Sequence, residues 1–131
     1  MKPMRVVLET NVLVSALLSK KGNPAKIYKM FLSGEIILII NDVIMAEYTD
    51  VLYRPRLRIP TNDVSIVLDA IRAYGECIKT NTSAFPMIDE DDRVFYDTAK
   101  YYNALLITGN KRHYPNEFFI QNPNEFLKTL I

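Results

Sequence analysis

A single cysteine and a single histidine stand in a chain of 131 residues. Cys77 has no partner for an internal disulfide, which fits a reducing compartment. Together with His113 it offers too few sulfur and nitrogen ligands for a structural zinc site. A strong charge of either sign is also missing: the formal net charge is +1. Binding to nucleic acid through overall charge is therefore excluded, and any such contact must come from a local basic patch. No apolar run approaches the roughly 20 residues a membrane span requires. Near the N-terminus, Glu9, Thr10 and Asn11 interrupt the apolar stretch that a signal peptide needs. There is no internal repeat, no low-complexity segment and no long linker. The expectation is one cytoplasmic domain over residues 1–131, with no membrane association.

Apolar residues make up 49% of the chain, enough for a folded core. Met4 to Leu8 is a short run rich in β-branched residues and reads as a buried strand. A helix is expected from Thr10 to Ser19, capped by Thr10 or Asn11, and a second from Pro24 to about Ser33, stopped by Gly34. Ile36-Ile37-Leu38-Ile39-Ile40 is apolar on both faces, the pattern of a parallel strand covered by helices on both sides. The stretch from Asn41 to Pro55 reads as a helix, as does Thr61 to Tyr74 with Gly75 as its stop. Cys77 to Lys79 suggests an edge strand, Asp91 to Asn103 a helix, Ala104 to Ile107 a strand and Glu117 to Ile120 a last strand. Asn122 or Pro123 then opens a helix running through Leu130. Strands alternating with helices give a three-layer α/β/α sandwich around a mainly parallel sheet. Ligands in such sheets bind at the carboxyl ends of the strands.

Three acidic positions fall at that end. Glu9 closes the first strand. Glu47 lies a full turn inside its helix, on the face of Val43, Ile44 and Val51. Asp92, in the run Asp89-Glu90-Asp91-Asp92, lies three before Phe95 and seven before Ala99, so it should face inward with them. Glu9 and the aspartate run also have an ordinary reading as acids at helix N-termini. Glu47 is harder to explain so, because a carboxylate is rarely buried without a partner. Converging carboxylates repel by about 4 kcal/mol per pair at 4 Å with an effective dielectric near 20. A bound divalent cation removes that cost, and oxygen ligands select magnesium or manganese.

These residues resemble a known family. Val7-Leu8-Glu9-Thr10-Asn11-Val12-Leu13-Val14 is similar to the opening of PIN-domain ribonucleases, in which an aspartate precedes the Thr-Asn pair. Ala46-Glu47-Tyr48 matches the family's second acid, and Asp92, seven before Ala99, the third. Leu106-Ile107-Thr108-Gly109-Asn110 matches the fourth motif, and the ending from Ile120 to Leu127 is similar to a bacterial, VapC-like subgroup described as toxin components of toxin–antitoxin pairs. The resemblance covers nearly the whole chain. It implies a PIN-like fold and metal-assisted hydrolysis of RNA, with Glu9, Glu47 and Asp92 as the catalytic acids holding Mg²⁺ or Mn²⁺, partly through water. Thr108 and Asn110 would orient ligands or water, and Asn11 would fix the turn that carries Glu9. A homodimer and a small antitoxin that obstructs the cleft are further implications. The one departure is Glu9 in place of aspartate. It moves the carboxylate out by on the order of 1.5 Å, and a displacement of about 1 Å can cost roughly a hundredfold in rate.

Substrate would be gripped by local cations. Lys20 and Lys21, the group Arg54, Arg56 and Arg58, and the group Lys111, Arg112 and His113 are the candidates for phosphate contacts, with Tyr101, Tyr102 and Tyr114 as possible stacking surfaces. Two other readings compete. A phospho-receiver domain would also carry acids at its first strand and a late Thr and Lys, here Thr108 and Lys111, but it needs an aspartate ending a central strand. Ile36 to Ile40 ends instead in Asn41-Asp42, which reads as a helix cap. The other is a PIN-like module that binds a partner and no longer cuts, which Glu9 alone favours.

Overall fold

The computed structural model describes residues 3–130. Its sheet has five strands, all parallel, in the order β3-β2-β1-β4-β5. β1 (Met4–Leu8) is central. It pairs with β2 (Ile36–Ile40) through Met4, Arg5 and Val6, and with β4 (Leu105–Ile107) through Val6, Val7 and Leu8. Val6, Val7 and Leu8 are fully buried, as are Leu38, Ile39 and Ile40, because helices cover both faces of a parallel sheet. The chain order places the edge strands β3 (Glu76–Cys77) beside β2 and β5 (Ile120–Gln121) beside β4.

The helices are α1 (Thr10–Leu18), α2 (Asn23–Leu32), α3 (Asp42–Leu52), α4 (Thr61–Tyr74), α5 (Arg93–Tyr101) and α6 (Pro123–Thr129). α1 packs on α2 and α2 on α6, while α5 lies along β1 and β4 and α4 against β2 and α3. The fold is therefore the expected α/β/α sandwich. Gly34 ends α2 with φ of 81°, a left-handed conformation that costs a glycine little. Asn122 caps α6 in a capping box with Glu125.

Local corrections have identifiable causes. The last strand is shorter and later than Glu117 to Ile120. Its ladder partner β4 offers only three residues, so pairing is confined to Ile120 with Leu106 and Gln121 with Ile107, and Phe118 is left 91% exposed. β3 begins at Glu76 because Ile39 and Ile40 are its partners. The helix expected from Asp91 starts as a 3-10 turn over Glu90–Asp92. The Asp89 side chain accepts from the backbone N–H of Asp91 at 3.0 Å and tightens that turn. The residue at the cap of α1 is Glu9, not Thr10 or Asn11, and its side chain makes no capping hydrogen bond, being engaged elsewhere.

Candidate functional site

The carboxyl ends of β1 and β4 and the N-termini of α1 and α5 converge on a cleft of about 170 Å³, walled by Glu9, Thr10, Asn11, Glu47, Arg54, Arg56, Asp92 and neighbouring apolar groups. The parallel ladder sets this placement. Leu8 pairs with Ile107, and the Glu9 N–H donates to the Ile107 carbonyl at 3.0 Å, so Glu9 and Thr108 leave the sheet side by side.

Glu9 is buried, only 3% exposed. Thr108 Oγ1 donates to its Oε2 at 2.9 Å, and the Tyr114 hydroxyl donates to the same oxygen. Oε1 is left with the Asn11 amide at 3.4 Å. Asn11 thus reaches the carboxylate itself. Thr108 Oγ1 in turn accepts from the Asn110 N–H at 2.9 Å, so the backbone of Asn110 holds the hydroxyl that holds Glu9.

Glu47 projects from α3 and accepts from the Thr10 hydroxyl through Oε2. The apolar stripe of α3 is Ile44, Tyr48 and Leu52, all fully buried, while Val43 is 47% exposed. Glu47 therefore lies at the border of that stripe, half-buried on the cleft wall, and does not sit within the core as the spacing suggested. Desolvation raises its pKa above the usual carboxylate range; Asp91 and Asp92 add to the rise, and Thr10 and Arg54 oppose it. Beside it, the Tyr48 hydroxyl donates to the Leu8 carbonyl at 2.6 Å and pins α3 to the end of β1.

Asp92 precedes α5, and its carboxyl pKa is pushed up to about 6, first by burial and then by the charges of Glu9 and Asp89, with His113 opposing. Its Oδ2 is buried and accepts no hydrogen bond. The nearest cationic candidate, His113 Nδ1, stands 3.4 Å away in a contact that makes no hydrogen bond. A buried carboxylate oxygen that accepts no hydrogen bond is costly and requires a reason.

The donor set fits a hard divalent cation: carboxylate oxygens, one of them buried without a hydrogen bond, and two acids whose pKa values are raised first by burial and then by neighbouring acids. Among the described residues no three His, Cys, Asp or Glu side chains are close enough to enclose an ion directly.

Among the described residues the cleft wall includes Arg54 and Arg56 but not Arg58, Lys20 or Lys21. Arg54 is paired with Asp50 at 2.8 Å. Lys111 is committed to Glu125 at 3.0 Å, and Arg112 lines a neighbouring hollow with Lys111 and Tyr114. Tyr114 is 6% exposed, and its side chain faces Glu9, so it offers no surface for stacking; Tyr101 is 65% exposed, edge-on to Tyr102. The sequence reading took Asn41-Asp42 for a helix cap and missed the second contact that Asn41 makes. Asn41 is fully buried, caps α3 through Oδ1 and donates to Thr98 Oγ1 at 3.0 Å, joining the helices that present Glu47 and Asp92. Its position between an apolar strand and a helix signals the cap, but no local pattern signals a contact 57 residues away.

Residues 5–112 match the family model described as PIN domain. The chain belongs to the PIN-domain family, a family of nucleases that generally use divalent metals. It is 29% identical over 128 residues to an uncharacterised protein of Methanocaldococcus jannaschii, an alignment covering 95% of this chain and 80% of that protein. It is similar in fold to a chain in the crystal structure of VapBC2 from Rickettsia felis bound to a DNA fragment from their promoter. That match has a TM-score of 0.57 and 20% identity, and covers 91% of this chain and 98% of the other. No helix among the described residues is long and apolar enough to cross a membrane.

Proposed function

We propose that this chain is a Mg²⁺- or Mn²⁺-dependent endoribonuclease that hydrolyses RNA phosphodiester bonds, acting in the cytoplasm as the toxin of a toxin–antitoxin pair. The observation that carries the reading is Asp92 Oδ2, buried without a hydrogen bond in a cleft that also holds Glu9 and Glu47. Membership in a nuclease family supports the reaction class. The similar fold in VapBC2, a complex bound to promoter DNA, supports an antitoxin partner for this chain, and a homodimer is part of the same proposal.

Glu9, Glu47 and Asp92 would hold the cation, with water completing its shell. When bound, a divalent cation polarises the phosphate and makes a bound water more acidic. The chain's own groups do the rest. Thr108 and Tyr114 fix Glu9 so that Oε1 is the oxygen offered to the cleft. Thr10 fixes Glu47. Arg54 and Arg56 stand on the same wall, where their charges would draw in backbone phosphates against the acids' repulsion. No histidine general base is required, and His113 stands 3.4 Å from Asp92.

The test is cleavage of a labelled RNA with Mn²⁺ or Mg²⁺, with EDTA and with the Asp92→Asn variant. Cleavage by the wild-type chain that EDTA and Asp92→Asn both abolish supports the reading; cleavage indifferent to either removes it. A second reading, a PIN-like module that binds without cutting, draws on the engagement of Glu9 Oε2 by two hydroxyls. It predicts Mn²⁺ binding without RNA cleavage.

A further inference from the structure

We propose that Tyr114 is a positioning residue that adapts this site to a glutamate at its first acidic position, folding the longer side chain back so that a single oxygen, Glu9 Oε1, faces the cleft. The inference rests on the reading above that Glu9 is a cation ligand. It goes further in assigning a task to a residue that lies outside the matched family segment, which ends at residue 112.

Glu9 carries one methylene more than an aspartate, a reach of on the order of 1.5 Å. Left free, that extra torsion would let the carboxylate swing, and a ligand that swings binds its ion poorly. The structure removes the freedom at one oxygen. Thr108 Oγ1 and the Tyr114 hydroxyl both donate to Oε2. Thr108 is itself fixed by the Asn110 N–H, and Tyr114 by burial in the turn that follows the 3-10 segment Lys111–His113. The result is a division of labour within one carboxylate: Oε2 is held by the protein, and Oε1, with only the distant Asn11 amide at 3.4 Å, is free to bind. An aspartate on the same backbone is shorter by on the order of 1.5 Å, which couples the glutamate to the tyrosine that meets it.

The test is a double-mutant cycle of wild type, Tyr114→Phe, Glu9→Asp and the double variant, read by Mn²⁺ calorimetry and by thermal unfolding in EDTA. Removing a group that orients a metal ligand typically costs about 10- to 100-fold in metal affinity. Tyr114→Phe should lose Mn²⁺ affinity by about that factor in the wild-type background and leave it unchanged when Glu9→Asp is also present. In EDTA, Tyr114→Phe should lower the midpoint by roughly 5 °C in the wild-type background and by much less in the Glu9→Asp background. Wild-type Mn²⁺ affinity in Tyr114→Phe, or an equal loss in both backgrounds, overturns the positioning role while leaving the nuclease reading in place. A wild-type chain with no Mn²⁺ affinity overturns that reading, and the positioning of a ligand with it.

Discussion

The side-chain amide of Asn41 donates to Thr98 Oγ1 at 3.0 Å, deep in the protein, so α3 and α5 are tied together behind the cleft. One residue thereby fixes the spacing of the two helices from which Glu47 and Asp92 act. Its carboxamide oxygen meanwhile accepts the Ile44 N–H at 2.9 Å as the cap of α3. Asn41→Ala removes the cap and strands the Thr98 hydroxyl, and should destabilise the protein by about 2–4 kcal/mol. Asn41→Asp keeps the acceptor but loses the donor and buries a charge, and should cost at least as much. Urea unfolding of both variants checks the order; equal and small losses would show that Asn41 ties nothing together.

Tyr48 offers a cleaner measure of the joint between β1 and α3. Its hydroxyl is fully buried on the Leu8 carbonyl, one residue before Glu9 and one after Glu47. Tyr48→Phe preserves shape and leaves the carbonyl without that partner, a loss of about 1–3 kcal/mol. Unfolding midpoints in EDTA should show it, because the contact needs no cation.

The metal-free protein should become more stable as pH falls from 7 to 5. Asp92 has a folded pKa of about 6 against an ordinary value of 3.8, and Glu47 is shifted in the same direction. Between those values the folded state holds protons that the unfolded state has released, so stability falls as pH rises through the window. Glu90 and Glu125 are shifted downward by Arg93 and by the Asn122 cap, and act only at lower pH. Thermal melts in EDTA at pH 5, 6 and 7 should give the highest midpoint at pH 5, and Asp92→Asn should flatten the trend. A midpoint that drops on acidification across this range contradicts the crowding of the acids.

Arg56 is the basic residue best placed to meet substrate, being on the cleft wall without the partner that Arg54 has in Asp50. Arg56→Gln should raise KM for RNA with little change in kcat, and reduce the salt slope of binding by about 1. An unchanged KM and slope would place the phosphate path elsewhere. Lys111, bound to Glu125 across the entrance to α6, should matter less for RNA than Arg56.

Much of this architecture can be read from local pattern. Ile36 to Ile40 is apolar on both faces because β2 is covered on both, and the helix from Thr61 to Tyr74 shows its period and its stop plainly. The candidate acids are legible because acids are conspicuous among apolar neighbours. What the pattern does not carry is long-range pairing. Phe118 and Phe119 look like strand residues, but the ladder is set by the short β4, a hundred residues from β1 in sequence. Tyr114 looks like a surface aromatic until the fold lays it on Glu9, and no local spacing reveals that contact. Glu47 looks buried because Val43, Ile44 and Val51, at i−4, i−3 and i+4, are apolar, but Val43 faces outward, so the helix face meets the cleft and not the core.

The central claim is that Glu9, Glu47 and Asp92 share one hydrated cation. Calorimetric titration of Mn²⁺ into the wild-type chain, Glu47→Gln and Asp92→Asn tests it most directly. One ion bound per cleft in the wild type, with no measurable binding in either variant and folding preserved by circular dichroism, is the predicted result. Mn²⁺ affinity that survives both substitutions unchanged would contradict it.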